Sequence, residues 1–214
     1  MKKLHKLILS SAAYRMSTTA NAKFDAEDSD DRLLWRMPYR RLDVEVIRDS
    51  MLAVSGQLNP KMFGPAMKPR IPQAALEANT DKESIWQPSD DTEASRRTIY
   101  AFIKRGLVVP MLEVLDLGDT VNSCPQRLVT TVAPQALTLF NSEFVNAQAR
   151  HFAARLVKEA GDDATKQIQL AYRLALCRPP TAAEVAAMLD FHRRESLEQM
   201  CRVMLNLNEF VYAE

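Results

Sequence analysis

Glycine is scarce, at 5 residues in 214, against an average of about 7% in soluble proteins, and this argues against a turn-rich β sandwich. Cysteine is scarce too. Cys124, Cys177 and Cys201 are an odd set with no CxxC and no neighbouring histidine, which fits neither a disulfide framework nor a zinc site. No apolar run approaches the roughly 20 residues of a membrane span. The run Leu7-Ile8-Leu9 stops at Ser10-Ser11, short of the about 7–15 apolar residues of a signal-peptide core. The opening therefore reads as an amphipathic helix and not as an export signal. Neither sign of charge dominates: Lys+Arg 28 against Asp+Glu 27 leaves +1, so no global field draws the chain to nucleic acid. Gly-rich phosphate loops, HExxH and a Ser/His/Asp arrangement are all missing. His5, His151 and His192 stand apart on helical patterns, as surface or boundary residues.

What is present is helix-forming. About 47% of the residues are apolar and 26% charged, with many Ala, Leu, Arg, Glu and Met, a composition that predicts a mainly α protein. Leu4, Leu7, Ile8 and Ala12 put one apolar face on a helix over 3–16. The acidic run Asp28–Asp31 suits a helix N-terminus leading into Leu33-Leu34-Trp35-Arg36. Between Leu42 and Leu58, Val44, Ile47, Met51, Val54 and Leu58 form a core-facing stripe that Gly56 and Asn59-Pro60 stop. Residues 59–95 are punctuated by Pro60, Pro65, Pro69, Pro72 and Pro88 and form a long irregular excursion, with Trp86 as an anchor on the body. Arg97–Lys104 reads as a strand, and Leu107–Pro110 with Leu112–Asp116 as a second extended piece completing a short β-hairpin. A short helix is the rival for both.

The C-terminal third is the clearest. Pro134 opens a helix to about Phe140, and Ser142 caps the next, which Gly161 closes. Asp162 or Asp163 caps a third helix that ends before Pro179-Pro180. Thr181-Ala182-Ala183-Glu184 is a capping box for a fourth. Leu197, Met200, Met204, Leu207 and Val211 mark a last apolar stripe. Short turns between these helices imply an antiparallel C-terminal bundle. Three regions follow: 1–58 as N-terminal helices belonging to a larger body, 59–95 as the excursion, and 96–214 packed with 1–58 as one domain.

Several ordered segments carry a resemblance. They include Arg32–Arg36, Ile47–Gly56, Arg96–Arg105, Leu112–Asp116, Asn122–Arg127, Thr130–Leu137, Leu139–Val145, Ala171–Thr181 and Leu205–Tyr212. Together they resemble the planctomycete domain of unknown function fifteen-fifty-three, also called the planctomycete-specific domain (PSD), over nearly the whole chain. Gln126 departs from the family, which more often has a basic residue there, and this weakens an anion clamp built on Arg127. The resemblance implies a larger, extracytoplasmic (periplasmic or cell-surface) protein with a cytochrome c domain upstream. It implies that this chain is the C-terminal portion of such a protein, with the upstream domains as partners. No CxxCH is present, so this chain carries no covalent haem, and no other cofactor or metal site is expected.

The richest polar region is 96–143. Glu113 with Asp116 or Asp119 are candidates for acid and base on a polysaccharide, which requires carboxylates about 5–10 Å apart. Glu113 and Asp116 share a face only if their segment is helical. Arg97, Arg105, Arg127, Cys124 and Asn141 are the binding candidates, Cys124 also carrying the idea of a redox partnership with an upstream haem domain. The competing reading is structural: arginines paired with nearby carboxylates, and Asp116-Leu117-Gly118-Asp119 as a turn. On this reading the chain is a non-catalytic structural or binding module. The alternative is a polysaccharide-acting hydrolase.

Overall fold

The computed structural model describes residues 1–77, 86–120, 122 and 125–213. The chain divides into two compact units, Met1–Arg41 with Tyr212–Glu214, and Leu42–Val211. Among the described residues there are twelve α-helices and one two-stranded ladder, so the chain is mainly α.

The first unit holds α1 (Lys2–Leu9), α2 (Ala22–Glu27), β1 (Arg40–Arg41) and β2 (Tyr212–Ala213). The strands pair antiparallel, Arg40 with Ala213 and Arg41 with Tyr212, and Tyr39 stacks on Tyr212 at 4.7 Å. The first helix ends seven residues before its expected limit. Ser11 turns its hydroxyl onto the Ile8 carbonyl at 2.7 Å and accepts from the Tyr14 N–H, a local bond that competes with the helix ladder. The acidic run does not open a helix. Asp28 accepts from the Arg32 and Leu33 N–H groups, and Asp31 from Trp35 and Arg36, so both aspartates close turns on their own backbone. The helix here is instead α2, capped by Asn21 through the Lys23 N–H.

The second unit carries the core. Helix α3 (Val44–Val54) buries Val44, Ile47, Met51 and Val54 along the expected stripe. Gly56, at φ +76°, adopts the left-handed turn beyond its end. The excursion contains α4 (Gln73–Glu77) and α5 (Asp91–Ala94). Buried Trp86 closes it on itself, its indole N–H donating to the Pro69 carbonyl at 2.8 Å, and its ring meets that of Phe102 at 6.1 Å. Its residues Asn79–Glu83 lie outside the described residues.

Residues 97–104 do not form the expected strand. Thr98–Tyr100 forms a 3-10 turn, followed by single bridges between Met67 and Ala101 and between Lys104 and Leu107. The physical reason is Asp49, which takes the Thr98 N–H at 2.7 Å and its hydroxyl at 2.6 Å, curling the chain at the point where a ladder would start. The helical rival holds for the next segment, α6 (Pro110–Val114).

Then come α7 (Ala133–Asn141), α8 (Glu143–Ala160), α9 (Ala164–Leu176), α10 (Ala182–Arg194), α11 (Leu197–Met204) and α12 (Asn208–Val211). Helix α8 is central, burying Val145, Ala149, Phe152 and Leu156 among the apolar faces of α3, α7, α9 and α11. Asp163 caps α9, and the Thr181–Glu184 box caps α10. Ser142 stands at the N-cap of α8, but its side chain makes no capping bond. Cys177 ends α9 in the left-handed region and is exposed, whereas Cys201 is buried.

Candidate functional site

Buried arginines set the character of the second unit. Arg96 is 0% exposed. Its guanidinium donates to the carbonyls of Lys61 at 3.3 Å and Pro65 at 3.0 Å, to the Phe63 carbonyl, and to Glu93 at 3.3 Å. It also lies over the Tyr100 ring at 4.2 Å. One side chain thus gathers the turn 61–65 against α5. Glu93 is claimed a second time by Lys61.

Arg48 sits on α3, 5% exposed. Its terminal nitrogens donate to Arg96 O at 3.2 Å, Thr98 Oγ1 at 3.1 Å and Ala94 O at 2.6 Å. The Phe144 ring lies 5.1 Å away. Burial pulls its pKa down to about 10, against the raising influence of the Asp49 charge at 3.9 Å. Sequence reasoning passed over Arg48, although Val44, Arg48 and Leu52 follow one another at steps of four, the spacing of a single helix ridge. A cation on the ridge of a core helix was the available signal.

The sequence-predicted residues are distributed as follows. Arg97 is exposed, with its Nε 3.8 Å from Asp49. Arg105 is exposed in the turn between Lys104 and Leu107. Arg127 donates to Glu45 at 2.8 Å. Burial opposes the Glu45 charge, but the bond from Arg127, a backbone bond and the Arg127 charge together hold its carboxyl below the ordinary range. Cys124 lies outside the described residues.

Glu113 is exposed on α6, whereas Asp116 falls beyond the end of that helix at φ 60°. Asp116 accepts from the Thr130 N–H at 2.8 Å, from the Thr130 hydroxyl at 3.0 Å and from Gln135 Nε2 at 3.2 Å. Gln135 also donates to the Val114 carbonyl at 3.1 Å. Asp116 and Thr130 are thereby tied to each other and to the N-terminal turn of α7. Asp119 is exposed and accepts from Asn122 at 2.7 Å. Asn141 lies at a sizeable hollow.

That hollow is a cleft of about 1020 Å³. Its walls come from α3, the loop 69–72, α5, the start of α6, α7 and the first turns of α8. Its lining includes the joint where Ser142 alone separates α7 from α8. The lining is predominantly apolar, with Leu52, Ile71, Val109, Met111, Leu137 and Phe144. Arg48, Gln148, Asn141 and His151 are among its polar members. His151 is exposed, and no group of three His, Cys, Asp or Glu side chains able to hold a metal occurs among the described residues. Arg70 and Asp91, both on the cleft, pair with each other at 2.7 Å. A smaller hollow of about 490 Å³ lies between α8 and α11, and Glu143 and Arg150 line both. These two residues therefore stand on the ridge shared by the hollows.

No helix among the described residues is long and apolar enough to cross a membrane. A family model described as PSD1, Protein of unknown function (DUF1553), matches residues 1–192. No curated protein and no solved structure matches the chain.

Proposed function

The chain belongs to the PSD1 family, Protein of unknown function (DUF1553), and on that footing we propose that it is a non-catalytic binding module. In this reading it works within a larger extracytoplasmic protein that also carries a cytochrome c domain, with the upstream domains as its partners. The observation that carries the reading is where Arg96, Arg127 and Asp116 are spent. Arg96 holds three carbonyls, Arg127 holds Glu45, and Asp116 takes three hydrogen bonds from Thr130 and Gln135. Groups engaged in this way fasten loops onto helices. The roomy feature left over is a cleft with apolar walls, the ordinary form of a binding site.

A polysaccharide hydrolase using Glu113 with Asp116 or Asp119 needs one carboxylate able to give up and regain a proton beside the other. Asp116 is poorly suited to that role, because protonation would turn an acceptor of three bonds toward its own donors. The geometry favours the module. The test is reducing-end release from a polysaccharide panel, with the full chain and Glu113→Gln compared. The expected result is no release above buffer for either protein. Release by the native chain that drops in Glu113→Gln would overturn the reading.

A further inference from the structure

We propose that the cleft at the α7–α8 joint takes an amphipathic carboxylate, its head against Arg48 and its apolar body along Leu52, Val109, Met111, Leu137 and Phe144. This rests on the binding-module reading and names the ligand class for it. The argument starts from the cleft's size: about 1020 Å³ stands at the upper end of the roughly 300–1000 Å³ typical of small-molecule sites.

The charges then select the head group. Arg70 and Asp91 neutralise each other on one rim. Glu143 and Arg150, of opposite sign, share the ridge with the neighbouring hollow. Arg48 remains as the buried cation of the lining. Asp49, its nearest carboxylate, is 3.9 Å away and already accepts twice from Thr98 while lying 3.8 Å from Arg97. Arg48 engages its three acceptors through the terminal nitrogens, and its Nε–H has no partner among the described residues. A guanidinium with an unspent N–H, beside an aromatic ring and apolar walls, complements an anion.

The same surroundings choose among anions. A single buried guanidinium balances one negative charge, and a phosphate dianion would leave its second charge facing Leu52 and Val109 without compensation. The long apolar wall adds affinity only for a ligand with a hydrocarbon or aryl body. Gln148, 7% exposed and held at one end of its amide by Ser55 at 2.7 Å, adds a neutral hydrogen-bonding group to the lining.

The test is calorimetric titration of the full chain with dodecanoate, dodecanol and dodecylammonium, each below its aggregation concentration. Dodecanoate is expected to bind saturably at one site per chain, with the alcohol weaker by about tenfold or more and the ammonium weakest. Leu137 is 61% exposed, so Leu137→Trp fills the cleft without entering the core and is expected to abolish binding. Arg48→Gln, with folding checked by circular dichroism, should reduce dodecanoate to the level of the alcohol. Equal affinity for the three head groups, no saturable binding, or undiminished binding in Leu137→Trp or in folded Arg48→Gln would overturn the proposal. If Arg48→Gln does not fold, the head-group series and Leu137→Trp still decide. Absent dodecanoate binding without polysaccharide turnover removes this inference alone, whereas turnover that depends on Glu113 removes the module reading beneath it.

Discussion

Arg96 does work that no apolar side chain of its size could do. It is fully buried, yet it supplies donors to three carbonyls of the chain between Lys61 and Pro65 while its charge meets Glu93. Those carbonyls belong to an irregular, exposed turn, so removing the guanidinium takes away the donors that tie the turn to the buried side chain and leaves a void where that side chain lay. Arg96→Ala is expected to destabilise the fold by about 1.5–3 kcal/mol, the range for hydrogen bonds made by a charged donor, as read by urea denaturation. Arg96→Lys should recover only part of the loss, because a single ammonium does not present a planar fork to spread acceptors. Wild-type stability in both variants would show that the turn 61–65 is held by something else. Asp116 teaches the related lesson about reading carboxylates: three residues from Glu113 in sequence, it belongs to the strap at Thr130 and Gln135, because α6 ends at Val114.

At the level of elements, the corner joining α9, α10 and α12 is a clamp built on Arg178. Its Nε donates to Glu209 at 2.5 Å, and its terminal nitrogens reach Glu184 at 2.6 and 2.9 Å. Glu184 in turn accepts the Thr181 N–H at 2.7 Å as part of the capping box. The bonds from Arg178 come first, then those from Thr181, in holding the Glu184 carboxyl down to about 2 from its ordinary 4.5. A folded-state value below the unfolded one gives a contribution that is complete above pH 4.5 and is lost as pH falls toward 2. Glu184→Gln is therefore expected to lower stability at neutral pH by about 1 kcal/mol, a figure reduced for solvent screening. It should also flatten the decline of the melting temperature across that acid window. An acid limb identical to the native one would remove Glu184 from the account.

For the whole molecule, the two units differ in what they bury. Every apolar side chain of the described core lies between Val44 and Val211. Leu4, Leu7, Ile8, Leu33 and Leu34 of the first unit are exposed. A fragment spanning 42–211 is expected to unfold in one cooperative thermal transition close to that of the full chain, since the apolar burial that drives folding is retained. A broad or absent transition would show that the first unit is needed for the second to fold.

The C-terminal helices were legible in the residues because their signals are local. Apolar side chains recur at helical spacing along Val145, Phe152 and Leu156, and the stops and caps at Gly161, Asp163 and Thr181–Glu184 lie within a turn of the ends they define. The stripe of α3 was legible for the same reason. The turn at Thr98 was not, because it is bent by Asp49, nearly fifty positions away. Nor was the cleft, whose walls come from α3, α6, α7 and α8 and exist only once those elements pack. Arg48 shows the division within one residue. Its place on the α3 ridge follows from spacing alone, but its burial, its acceptors at Ala94, Arg96 and Thr98 and its exposure to the cleft were decided by packing. Periodicity states which way a side chain faces, and only the folded chain brings its partners from distant segments.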